Sequence, residues 1–172
     1  MNLVQSKVLK VKADYFNGIL IEEKKLTGKI NLRGNSDDKD FMKNVGSVLD
    51  LVLPIEPNVR VSNNNINIIW LGPNEWLIET PDTRKLEILN LLKLSLNPEK
   101  TAVTDVTFNK TVLRLQGKDV LTLLSKYLVI NLEKALNKNY SVAQTIFIKI
   151  PVLLIRNNND DQITSIDLHL NR

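Results

Sequence analysis

The sequence predicts an α+β fold, with mixed and antiparallel sheets and helices packed on them. Three observations carry this. Residues 66–79 read INIIWLGPNEWLIE, two apolar runs around Gly72-Pro73-Asn74. Proline fixes φ near −65° and asparagine tolerates positive φ, so the stretch predicts two strands joined by a tight turn. Leu86, Leu89 and Leu96 then recur at helical spacing over 82–96. Finally, an apolar strand closed by glycine, a short helix and a second apolar stretch occur twice. Ile30-x-Leu32-x-Gly34 leads to Leu49-x-Leu51, and Leu113-x-Leu115-x-Gly117 leads to Ile130-x-Leu132. Two copies are too few for a solenoid and predict two β–α–β-like pieces paired in one sheet. The expected division is an N-terminal arm over 1–27, a first α+β subdomain from 28–60 with 112–172, and a second, ferredoxin-like subdomain over 61–111.

In chain order, the arm has Val8, Val11, Tyr15 and Phe16 as apolar anchors, but its polar spacing suits neither helix nor strand. Lys29 to Arg33 alternates as a half-buried strand ending at Gly34. Ser36 or Asp37 is the expected cap of a helix that carries Phe41, Val45, Val48 and Leu49 on one face and stops near Asp50. Pro54 and Pro57 stiffen the connection to the hairpin. Thr80 is the expected N-cap of the 82–96 helix, with Pro81 at its first position and Asn97-Pro98 as its stop. Its leucine stripe is wide, so cover on more than one side is expected. Strands are expected at 102–106 and 111–115, then a helix from Asp119. The 141–155 stretch predicts one or two strands with Pro151 at an edge or bulge. The asparagines of 157–159 begin a turn, and Ile166, Leu168 and Leu170 share one face of a last strand.

Composition narrows the function classes. The chain has 172 residues, enough to bury a core without covalent staples. Cysteine is absent, which removes disulfides, thiolate metal sites and a Cys nucleophile. No apolar run reaches the roughly 18 residues of a membrane span. The first residues lack a signal peptide's apolar core, so the expected location is cytoplasmic. Twenty-three basic and 19 acidic residues give a net charge of +4, spread along the chain. Nucleic-acid binders concentrate basic groups on one face among stacking aromatics, and here Glu22 and Glu23 interrupt the densest basic stretch.

Chemistry-bearing groups are sparse. His169 is the only histidine and is expected at the surface, on the polar face of the last strand beside Asp167 and Asn171. One histidine without cysteine makes a poor zinc site. Neither a dinucleotide fingerprint nor a Walker loop is present. Asp37-Asp38, Asp40 and Asp160-Asp161 suit solvated loops. Glu75 is expected to bond turn amides. Asp105, flanked by valines, is expected in a buried hydrogen-bonded pair, because an unpaired buried carboxylate is costly. Trp70 and Trp76 are expected in the core, with ligand stacking as the alternative. The expected assignment is therefore no catalytic residue, no cofactor-binding residue and no metal ligand in this chain.

Trp70-Leu71-Gly72-Pro73-Asn74-Glu75-Trp76-Leu77 resembles the WLGPDEWL segment of the gamma subunit of heterotetrameric sarcosine oxidase. The resemblance extends over about 28–172. Leu32-Arg33-Gly34 with Phe41, Val45 and Leu53-Pro54 is similar to the family's opening strand and helix. Thr104-Asp105-Val106-Thr107 with Thr111-Val112-Leu113 resembles a second segment, Leu115-x-Gly117 with Leu123-Leu124 a third, and Gln144-Thr145 lies in a further similar stretch. Phe108 stands where the family often has histidine, and relatives tend to run on from an arginine like Arg172 into an aromatic helix. The resemblance implies two interleaved ferredoxin-like subdomains, as in the aminomethyltransferase folate-binding module. It implies a structural, non-catalytic subunit beside alpha, beta and delta partners. That complex oxidatively demethylates sarcosine with oxygen and tetrahydrofolate, and its FAD, FMN and NAD are held by the larger subunits. The alternatives are a stand-alone folate-binding aminomethyltransferase-like protein, the gamma subunit of a related N-methyl amino acid oxidase or dehydrogenase, and a basic nucleic-acid module. The arm and the C-terminal end are the expected docking surfaces, and deleting residues 1–25 is expected to weaken assembly without unfolding the rest.

Overall fold

The structure, a computed structural model, describes residues 13–158 and 163–172. Val8 and Val11 of the arm, and Asp160-Asp161, lie outside the described residues. The described chain divides into two compact units, one of 27–107 and one of 13–26 with 108–172.

The arm is not patternless where it is described. β1 (Ala13–Phe16) and β2 (Ile19–Glu23) form a hairpin in register Phe16↔Ile19. Its turn, Asn17-Gly18, has φ of 47° and 78°. Two consecutive positive values match the twist of paired strands, which is why Asn-Gly is favoured there.

In the 27–107 unit, β3 (Gly28–Arg33) leads to α1 (Lys39–Leu49). Asp38 caps α1, accepting from the amides of Asp40 and Phe41, in place of Ser36 or Asp37. A short β4 (Arg60–Ser62) precedes β5 (Asn67–Gly72) and β6 (Glu75–Thr80), the expected hairpin. Neither Pro73 nor Asn74 takes positive φ; a bulge between Trp70 and Gly72 accommodates the turn instead. α2 (Asp82–Ser95) starts after Pro81 without a side-chain cap, because Thr80 is the last, buried residue of β6. β7 (Ala102–Asp105) closes a sheet ordered β4-β5-β6-β3-β7, in which all neighbouring strands pair antiparallel. Setting β4 aside, this is a β–α–β–β–α–β arrangement of ferredoxin type. Its core joins Ile30, Leu32, Ile68, Trp76 and Ile78 of the sheet to Phe41, Val45, Leu89 and Leu92 of the helices.

In the other unit, β8 (Lys110–Gly117) precedes two short helices, α3 (Val120–Ser125) and α4 (Leu132–Ala135). β9 (Val142–Phe147), β10 (Ile150–Arg156) and β11 (Thr164–Asn171) complete a sheet ordered β1-β2-β8-β11-β10-β9. Leu115, Leu154, Ile166 and Leu168 pack there with Val120, Leu124 and Leu132. Pro151 pairs with β9 one residue before the β11 pairing begins at Val152, so its missing N–H interrupts no ladder there.

This division differs from the expected one. β3 runs antiparallel to β6 from Gly28↔Thr80 to Arg33↔Glu75, so 28–60 belongs with the hairpin and not with 112–172. The two repeated strand–glycine–helix pieces stand in different sheets. The ferredoxin-type arrangement accordingly spans 28–105 rather than 61–111.

Candidate functional site

The residues singled out in the hairpin form a structural network. Trp76 is fully buried, donates its indole N–H to the Pro54 carbonyl at 2.8 Å, and lies with its ring 5.8 Å from that of Phe41. Trp70, its cross-strand partner, is only half-buried and outside the core cluster. Glu75 accepts from the Asn31 side chain at 2.7 Å and from Arg33 at 3.0 Å, not from turn amides. Its register opposite Arg33 puts the carboxylate there. A Cβ on Gly34 would meet the Phe41 ring at 2.4 Å, so this position needs the missing side chain for close packing. Leu32-Arg33-Gly34 and the tryptophan hairpin are thus one packed and hydrogen-bonded structure.

Asp105 is not buried in a closed pair. It accepts from the Thr107 amide at 2.9 Å and from Lys85 at 2.9 Å, with its side chain 36% exposed. Desolvation pushes its carboxyl upward, but the Thr107 hydrogen bonds and Lys85 outweigh this and hold it below the ordinary aspartate value. Thr107 in turn accepts from the Lys29 amide at 3.0 Å.

His169 is buried, 1% exposed, rather than at the surface. Its face of β11 also carries Asp167 and Ser165, both buried, so this polar face meets solvent only at its end, at the exposed Asn171. Asp167 stands opposite Arg114, which donates Nε and Nη2 to its two oxygens at 2.6 and 2.8 Å. That fork–fork geometry turns both carboxylate oxygens toward the guanidinium, so the Asp167–Arg114 pair is a structural clasp. Among the described residues, no group of three or more His, Cys, Asp or Glu is placed to hold a metal. A groove of about 340 Å³ lies beside α3 and α4, and Glu133 is the one charged residue in its lining.

Exposed apolar side chains are the more distinctive surface feature. Several of them fall in three places: Tyr15 and Phe16 on β1, Leu86, Leu91 and Leu94 on α2, and the β9–β10 turn with the segment that follows α3; Val52 and Ile55 between α1 and β4, and Phe108, Tyr140 and Ile163, are exposed as well. The α2 leucines show that this helix is covered on one side only, through Ile88, Leu89 and Leu92. At the third place, Val129 is 94% and Ile148 64% exposed, with Tyr127, Ile146 and Ile150 around them. Ile148 also has φ of 59°. A β-branched residue is a clear outlier there, at about 1–2 kcal/mol of backbone strain. Nothing in the sequence marks this surface, because 128–130 and 146–150 are short apolar runs without a pattern that tells a buried face from an exposed one. At the other end, Arg172 is held by the Asn109 carbonyl at 3.0 Å and the Thr111 hydroxyl at 2.6 Å, so the described C-terminal end is not an apolar patch.

These features define an α+β protein whose recognisable motifs build its scaffold and whose exposed apolar groups lie on outer elements. The chain belongs to the sarcosine oxidase, gamma subunit family, whose model matches residues 33–166. A search of curated proteins returned no match. Among solved structures, a chain of heterotetrameric sarcosine oxidase from Corynebacterium sp. U-96, in complex with pyrrole 2-carboxylate, is similar with a TM-score of 0.77 and 22% identity, over 89% of this chain and 75% of that one. Aminomethyltransferase T of the glycine cleavage system from Bartonella henselae is similar with a TM-score of 0.61 and 10% identity, over 87% of this chain and 41% of that one. At these identities the likenesses establish the fold. Among the described residues, no helix is long and apolar enough to cross a membrane.

Proposed function

We propose that this chain is the gamma subunit of a heterotetrameric sarcosine oxidase and acts as its non-catalytic structural subunit, beside alpha, beta and delta subunits in the cytoplasm. The carrying observation is the family match over 33–166. The fold likeness to a chain of a heterotetrameric sarcosine oxidase supports it. In this reading the complex converts sarcosine, tetrahydrofolate and oxygen into glycine, methylenetetrahydrofolate and hydrogen peroxide. FAD, FMN and NAD belong to the other subunits. The motifs of this chain serve packing: Trp76, Gly34 and Glu75 tie β3 to the hairpin. A complex acting on another N-methyl amino acid is the second reading, since family membership speaks to the subunit and not to the amine oxidised.

Co-expression of the tagged chain with alpha, beta and delta subunits tests the proposal. A complex of four subunits should be recovered that forms hydrogen peroxide with sarcosine, while the chain purified alone is colourless and inactive. Flavin at one equivalent on the isolated chain, or failure to assemble, would overturn it.

A further inference from the structure

Resting on the subunit reading above, we infer that the β9–β10 turn and the segment after α3 form a docking surface for another subunit of the complex, one presenting apolar groups edged by carboxylates. The two segments are one structural piece. Leu128 bridges Phe147, the Ile148 amide donates to the Tyr127 carbonyl at 3.3 Å, and the Tyr127 and Phe147 rings lie 5.6 Å apart. From this support project Tyr127, Val129, Ile148 and Ile150, all exposed, with Ile146 on the opposite side of β9 from Phe147. Water-facing apolar groups gathered in this way exceed the scattered hydrophobes of an ordinary surface.

Two further observations point to a protein partner with acidic groups. First, Ile148 occupies the hairpin turn at φ 59° although glycine or asparagine is favoured at such positions. The Ile148 amide bond to Tyr127 needs only this backbone conformation, which glycine would adopt without strain, so the exposed isoleucine side chain is left to serve binding, where strain of this kind clusters. Second, the surface carries Lys126 and Lys149, both exposed, while 125–131 and 142–158 contain no Asp or Glu. Apposing two copies would bring like charges together, which disfavours a second copy of this chain as the occupant. The leucines of α2 lack this character, since the ion pairs Arg84–Glu87 and Lys85–Asp82 balance the charge beside them.

The test uses the full chain co-expressed with the alpha, beta and delta subunits. Val129→Asp and Ile148→Asp should weaken assembly by about tenfold or more, as expected for a charge placed in an apolar contact. Lys149→Glu should weaken it by about fivefold and reduce its salt dependence. Ile148→Gly separates folding from docking: its thermal midpoint should stay level or rise by a few degrees as strain is relieved, while assembly weakens. If the wild type assembles and these variants assemble as tightly, the surface is overturned and the subunit reading stands. If the wild type does not assemble, both fall. Loss of assembly in Leu94→Asp with retention in the hairpin variants would move the interface to α2 and overturn the assignment. So would sedimentation of the wild type, but not of Ile148→Asp, with phosphatidylserine vesicles, or a wild-type dimer abolished by Ile148→Asp.

Discussion

Trp76 shows how a single residue sets the 27–107 core. Its ring is enclosed with Phe41 and its only polar atom is satisfied by Pro54. Trp76→Ala should cost about 3–5 kcal/mol, measured by denaturant titration. Trp70→Ala, half-buried and outside the cluster, should cost clearly less. An unchanged midpoint for Trp76→Ala would mean the hairpin is peripheral. Asp105 makes a pH-dependent contribution. Its folded carboxyl titrates below its unfolded value, so its stabilisation is complete above the ordinary aspartate range of about 3.9. The stabilisation is lost as pH falls through the folded-state value. Asp105→Asn should therefore destabilise at neutral pH and flatten the acid limb of stability against pH. An acid limb with the wild-type slope would count against this role.

At the scale of elements, α2 separates buried from exposed leucine. Leu92 is fully buried, whereas Leu94, two residues on, is 84% exposed. Leu92→Ala should cost about 2–5 kcal/mol and Leu94→Ala no more than about 0.5 kcal/mol, with both melts followed by circular dichroism. Equal losses would show that the outer face is covered in the isolated protein. The wide leucine stripe suggested two-sided cover, because periodicity records which residues are apolar and not which sides find a neighbour. The same limit applies to α1. Ser36, Asp37 and Asp38 are all competent caps, and only the backbone path sets Asp38 within reach of the first amides. The β1–β2 hairpin, by contrast, was legible in Asn17-Gly18, a signal obscured by the polar spacing around it.

At the scale of the whole molecule, the chain leaves one unit and returns to it. β2 pairs with β8 across Leu20↔Gln116 to Glu23↔Leu113, and Ile19 enters the core of the 108–172 segment. Gly117 keeps this approach open, since a Cβ there would meet the Gly18 carbonyl at 2.6 Å. Removing residues 1–23 should therefore loosen its own unit, contrary to the expectation of an arm that detaches cleanly. Hydrogen exchange should quicken in β8 and β11 and stay slow in β3, β5 and β6. Unchanged protection of β8 would show that the N-terminal hairpin is an accessory.

The sequence by itself determined the α+β class, the tryptophan hairpin, the main helices and the family. Each of these is written in local alternation, helical spacing or a run of contiguous residues. Tertiary structure alone decided that β3 joins β6 and not β8, since many strands have an alternation compatible with pairing and register is set by the partner. It also decided burial. The face of β11 with Asp167 and His169 reads as solvated from its polar residues, yet it is enclosed, with the carboxylate clasped by Arg114. Conversely, Val129 and Ile148 stand in apolar runs of the sequence and face water. Polarity is a property of a side chain, whereas exposure is a property of whatever the rest of the chain places over it.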